Sequence, residues 1–234
     1  MLRSEAPIAP QEAARATRSD ARRAQILAAA VPLLERRGSH EVSMQSIATA
    51  AGVSVGLIYR YFAGKQELVR AVTEDVLDDI TRRVAAALGP EEDPVRQIAA
   101  AFAAYCTVIR DDRQAVMLTY RESHTLDAEG RKVIKELEIR STAPLRSAVD
   151  AAVAQGLLRP LHAELFTYDL VTVAHSWALK NWYFAPRISF EAFVTEQTAL
   201  LLSAVLAPGH RDRYADLLAD LAAEPSDDRT HPHR

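Results

Sequence analysis

The chain has 234 residues, of which 49% are hydrophobic and 25% charged, and its net charge is −3. Such a composition excludes a disordered chain, and a single cysteine, Cys106, excludes an internal disulfide and fits a reducing compartment. No apolar run approaches the ~18 residues that span a bilayer, and no apolar stretch follows a basic start. Neither a membrane segment nor a secretory leader is therefore expected, and the protein reads as soluble and cytoplasmic.

The charge is unevenly placed. Residues 1–65 hold nine Lys and Arg against five Asp and Glu, and the remainder holds nineteen against twenty-six. A basic amino-terminal part on an acidic body is the asymmetry expected when only one end touches phosphate. Abundant alanine and leucine, eight glycines and the lack of an alternating strand pattern point to an all-α fold.

Residues 1–19 mix proline, alanine and charge without useful periodicity, and a flexible arm is expected there. Asp20 can cap a helix running through Arg37, with Ile26, Ala30, Leu33 and Leu34 as its buried stripe and Pro32 as a local irregularity. Gly38 ends it. The stretch SMQSIATAAGVSVGLIYRYFAGK, Ser43 to Lys65, then places two short helical runs around a glycine turn. Ser43 caps the first run, which carries Ile47, Ala48 and Ala51 on one face. Gly52 permits the left-handed backbone that closes a helix, and Ser54 caps a second run expected over 55–62. Ile58 and Phe62 would face inward with Val53. Helix, tight turn and second helix are the parts of a helix-turn-helix.

Three segments with fixed spacing, ILAAAVPLLERRG, VSMQSIATAAGVSVGLIYRYF and GKQELVRAV, resemble the TetR/AcrR family of transcriptional regulators over Gln25 to about Val72. The resemblance implies an amino-terminal three-helix reading domain, residues 20–64, joined to a larger helical effector-binding and dimerisation domain, residues 65–223. In the family, positions matching Ser43, Ser54, Tyr59, Tyr61 and Lys65 commonly approach phosphate, and each has suitable chemistry here. Lys65 adds an ammonium to the free amides of a helix start. Gly56, lacking a side chain, lets the second helix approach the groove floor. Val55 and Leu57 stand where the family often has polar or basic residues. Their methyls suit thymine methyls but cannot hydrogen-bond a base edge. Gln45 and Arg60 are the polar candidates for base reading, and Arg22 or Arg23 for the minor groove.

From Lys65 the spacing of Leu68, Val72, Val76, Ile80 and Val84 predicts a helix to about Leu88, a candidate mechanical link. After Gly89-Pro90 and Asp93-Pro94 only helices are read. They are expected over 94–110, 113–123, 128–155 (bent or capped near Pro144), 163–184 and 190–206, with an amphipathic run over 211–223 and a disordered tail over 224–234. One short reading helix covers few base pairs, so a symmetric dimer on a palindromic duplex operator is expected, with half-sites about 34–36 Å apart or a multiple of that. The resemblance assigns dimerisation to 163–184 and 190–206, where Leu165, Val173, Ala199, Leu202 and Val205 serve as interface or as core.

Related regulators bind a small molecule among the middle helices. Phe102, Tyr105, Met117, Tyr120 and Arg121 are candidates to line such a pocket, with Leu137, Arg140, Trp177 and Asn181; helical core packing explains the same stripe. MLTYRESHTLDAEGRKVI is similar to a segment of acyl-CoA-responsive members that govern lipid degradation, where Arg121 or Arg140 would meet phosphate or a thioester oxygen. No catalytic residues, cofactor or metal site is read: the histidines lack ligand spacing with Cys106, and no nucleophile or phosphate-loop motif occurs. The leading expectation is a repressor released from its operator by a small hydrophobic effector, with an acyl-CoA as one class. The rival is an all-helical binding protein or enzyme without a DNA role.

Overall fold

A computed structural model describes residues 10–89 and 91–219. Helix α1 (Pro10–Arg37) begins earlier than the expected Asp20 and runs through Pro32. Residues 10–19, expected to belong to the arm, are helical. Residues 1–9 and 220–234, with the expected tail, lie outside the described residues.

Next come α2 (Met44–Ala51), α3 (Val55–Tyr59) and α4 (Lys65–Leu88). Helices α5 (Pro94–Asp111), α6 (Arg113–Glu122) and α7 (Ala128–Ala154) follow, with a 3-10 turn at Ser123–Thr125. The chain continues with α8 (Ala163–Leu179), α9 (Asn181–Phe184) and α10 (Phe190–Val205). A 3-10 turn at Pro208–His210 follows, and a second at Asp212–Tyr214 with α11 (Ala215–Leu218) stands in the described part, 211–219, of the amphipathic helix expected over 211–223. Among the described residues the strand-like pairing is a single antiparallel bridge, Leu158 to Leu206.

The molecule divides into two compact units. The first holds the described residues up to Val76 together with Gln114–Glu136, and the second holds Leu77–Arg113 and Leu137 onward. Compaction thus does not divide at the expected 64/65 boundary. The start of α4 and most of α6 belong with the helix-turn-helix.

In the first unit, Ile26, Ala30 and Leu34 of α1 are fully buried, as are Ile47 and Ala48 of α2 and Ile58 of α3. Burying each large apolar side chain stabilises the unit by about 1.5–3 kcal/mol. Gln25 Nε2 donates to the Ala51 carbonyl (2.7 Å), tying α1 to the end of α2.

In the second unit, α5 and α8 contribute Ile98, Phe102, Tyr105, Leu170, Ala174 and Trp177 to the core. The helix expected over 163–184 is broken at Lys180, where φ is −117° and ψ 23°. An unbroken helix would set Phe184 about 10 Å along the axis from Trp177. The break brings the two rings into stacking at 6.4 Å, and Phe190 and Phe193 close the cluster on Trp177 at 5.2 and 5.1 Å. Tertiary aromatic packing outweighs helical continuity here.

The same unit clasps its last turns onto the start of α5. Asp93 caps α5, accepting from the amides of Val95 (2.9 Å) and Arg96 (3.2 Å). Its carboxylate also accepts from the fully buried Tyr214 hydroxyl at 3.0 Å, while Arg96 holds Asp216 with two bonds of 2.7 and 3.0 Å. Burial first, then the bond to Asp93, pushes the Tyr214 phenol up to about 12. Tyr214→Phe should cost about 1–2 kcal/mol and Tyr214→Ala about 3–5 kcal/mol. Denaturant melts read both, and equal stability of the alanine variant would contradict the clasp.

Candidate nucleic-acid interface

Local chemistry builds the reading motif. Ser43 Oγ accepts from the Ser46 amide at 3.0 Å, and Ser46 Oγ accepts from the Ser43 amide at 3.1 Å, a reciprocal capping box. Gly52 closes α2 at φ 66° and ψ 35°, with the Val53 amide on the Ala48 carbonyl (3.0 Å). A β-carbon there would be held in a left-handed backbone that side chains disfavour. Ser54 Oγ then accepts from the Leu57 amide at 3.2 Å and starts α3. Helix α3 ends at Tyr59, three residues short of the expected Phe62. The amides of Tyr61 and Phe62 both turn back to the Ile58 carbonyl at 2.9 Å.

On this scaffold Gln45, Gly56 and Arg60 are exposed, and Tyr59 is 55% exposed. Ser43 and Ser54 are exposed, and their hydroxyl protons remain for an outside acceptor while their oxygens cap. Val55 and Leu57 are half-buried, so each combines packing with a partly presented methyl surface. Tyr61 is half-buried beside Phe62, with ring centroids 6.5 Å apart. Lys65 is half-buried too, and its ammonium donates to the Ser39 carbonyl, a bond that sequence spacing does not reveal. Arg23 pairs with Asp75 at 2.8 Å and lies 5.9 Å from the Phe62 ring centre, while Arg22 bonds Gln25 at 2.8 Å. Arg23 thus links α1 to α4 through a part-exposed ion pair.

The residues expected to meet an effector do not all fall in one unit. Met117, Tyr120 and Arg121 lie in the first, and Phe102, Tyr105, Leu137, Arg140, Trp177 and Asn181 in the second. Phe102, Tyr105 and Trp177 are core residues, with the Tyr105 hydroxyl 3.0 Å from His175 Nε2. Burial holds the His175 imidazole down at about 4, so the ring is neutral near pH 7. Tyr120 is exposed, Met117, Leu137 and Asn181 are half-buried, and Arg140 pairs with Asp78 at 3.3 Å. Arg121 gives its guanidinium to the carbonyls of Leu34 and Glu35.

Of the expected interface residues, Leu165 is 66% exposed and Val173 half-buried, but Ala199, Leu202 and Val205 are buried within the unit. Those three are core, because α10 is apolar on more than one side and sequence alone does not say which side faces out. Trp182, Tyr183 and Leu200, not foreseen, are the exposed large apolar residues of α9 and α10. Among the described residues no group of three His, Cys, Asp or Glu is placed to hold a metal, and no helix is long and apolar enough to cross a membrane.

A capped helix pair that presents α3 outward defines a helix-turn-helix, DNA-binding regulator of transcription. Residues 26–72 match the model of bacterial regulatory proteins of the tetR family, and residues 91–186 match a tetracyclin repressor-like C-terminal domain. The chain is 35% identical over 185 residues to the HTH-type transcriptional regulator HbdR of Aromatoleum sp. (strain CIB), covering 79% of this chain and 81% of that one. The chain belongs to the TetR family. It is also 28% identical to the HTH-type transcriptional activator FasR of Mycolicibacterium smegmatis, over 66% of this chain and 69% of that one. The crystal structure of AibR in complex with isovaleryl coenzyme A and operator DNA shares the fold. It has a TM-score of 0.67 at 23% identity, over 76% of this chain and 97% of that one.

Proposed function

We propose that the protein is a ligand-responsive repressor that binds a palindromic operator as a homodimer and leaves it when a small hydrophobic effector, of the acyl-CoA class, binds. The observation that carries this reading is the outward presentation of Tyr59, Gly56 and Arg60 on a helix fixed by its own caps. Ser43, Ser54, Tyr59, Tyr61 and Lys65 contact phosphate and set register. Gln45, Val55, Leu57 and Arg60 read base edges, and Gly56 gives clearance. Binding, not catalysis, is the activity, and it takes place in the cytoplasm with the DNA.

The second unit carries the partner face and, of the candidate effector residues, Phe102, Tyr105, Leu137, Arg140, Trp177 and Asn181. Dimerisation through α8 and α10, with α9 between them, covers Leu165, Trp182 and Leu200. The acyl chain is received by apolar residues of that unit, and Arg140, exposed beside Asp78, is its cation for a coenzyme A phosphate. AibR, whose complex contains both isovaleryl coenzyme A and operator DNA, lends support to the acyl-CoA class. A ligand releases DNA only by favouring the conformation that does not bind it.

Gel shifts with DNA flanking the protein's own coding region test the reading. Retarded DNA that weakens steeply with salt and is freed by acyl-CoA esters, but not by free acids or aromatic acids, is the expected result. Tyr59→Ala should weaken every sequence about equally. DNA released by none of the esters would remove the acyl-CoA class, and no retardation of any fragment would remove the regulator reading.

A further inference from the structure

We propose that Glu122 is a positioning residue for DNA recognition, acting through the Ser39 turn on Lys65. The proposal rests on the phosphate contact assigned above to Lys65. Glu122, at the end of α6, is only 3% exposed, and its carboxylate accepts from both the Ser39 amide (3.1 Å) and the Ser39 hydroxyl. A carboxylate withdrawn from water this far is costly unless hydrogen-bonded and paired. Burial would raise its pKa. The two Ser39 donors, helped by Arg121 and His124, outweigh that effect and hold it below the usual carboxylate value.

The grip is two-handed. Helix α1 ends at Gly38, whose φ of 79° turns the chain into Ser39, and the Gly38 amide closes on the Leu34 carbonyl at 2.8 Å. Arg121, 3.6 Å from Glu122, donates to the Leu34 carbonyl beside the Gly38 amide, and to the Glu35 carbonyl in the last turn of α1. So the last two residues of α6 hold both the end of α1 and the turn after it. From the far side of that turn, the Ser39 carbonyl accepts from the Lys65 ammonium at the first turn of α4. An ammonium has three donors, so one can fix the side chain while another meets phosphate. Pre-orienting a long, flexible lysine removes part of the ordering cost of binding. The reading unit is therefore completed by a residue from the middle of the chain.

A double-mutant cycle on an operator fragment, followed by fluorescence anisotropy at several salt concentrations, tests this. Lys65→Ala should weaken binding about tenfold and lower the salt slope by about 1. Glu122→Ala should weaken wild type about fivefold, lower the slope as well, and add nothing in the Lys65→Ala background, because the two act on one contact. Circular dichroism melts establish that each variant is folded. If Glu122→Ala does not fold, Glu122→Gln serves, since its amide oxygen still accepts from Ser39 while the charge is gone. About a threefold loss is then expected, again absent without Lys65. Losses that multiply, or a Glu122 variant with unchanged affinity and slope, would overturn the positioning role. An unaffected Lys65→Ala would instead remove the phosphate contact on which it rests.

Discussion

Gly56→Glu is expected to abolish operator binding while leaving the protein folded. Gly56 lies inside α3 and is exposed, and a β-carbon built on it meets nothing within 4 Å. Glycine inside a helix is about 0.5–1 kcal/mol less favourable than alanine, so a side chain here should hold or raise stability. The same side chain would stand between α3 and the floor of the groove with a negative charge facing phosphates. Like-charge juxtaposition at an interface costs several kcal/mol, equivalent to a loss of about 100-fold or more. Gly56→Ala should be the mild version: a slightly higher melting temperature and weaker DNA binding. Thermal melts beside gel shifts read both quantities. Normal DNA binding by the Gly56→Glu variant would mean that α3 does not enter the groove.

The second large effect is expected at the apolar face of the second unit. Trp182 is 73% exposed, and Leu165 and Leu200 are exposed on α8 and α10. Exposed large apolar residues on α8, α9 and α10 suit an interaction surface, and tryptophan is over-represented among residues that dominate binding energy. The double variant Trp182→Glu, Leu200→Glu should sediment as a monomer. It should also bind operator on the order of 10²–10⁴-fold more weakly, because the second reading head loses its high effective concentration at the half-site. Each monomer keeps its own reading helix, so weak non-specific DNA binding should persist. A variant that remains dimeric would place the interface elsewhere.

Local devices were readable before the structure, and long-range ones were not. Ser43, Gly52 and Ser54 each act within a few residues, so their spacing alone locates α2, the turn and the start of α3. The inward positions of Ile47, Ala48 and Ile58 follow from the same periodicity. By contrast, Ser39 and Glu122 are 83 residues apart, and nothing in either segment announces the other. The bond from Lys65 to Ser39 is hidden for the same reason. The break at Lys180 arises from rings that meet only after α8, α9 and α10 have packed. Ala199, Leu202 and Val205 show a further limit: on a helix apolar on several sides, composition does not separate core from partner face. The helical conformation of 10–19 is hidden by charge and alanine without clear periodicity.

A duplicated α3 surface that binds duplex DNA largely through phosphate has a direct signature. It is read from the affinity and stoichiometry of the wild-type protein on one operator fragment across a salt series. Two chains per palindromic site are expected, with a log–log slope of several units, steeper than that of Lys65→Ala by about 1. One chain per site, or an affinity that does not change with salt, would contradict it.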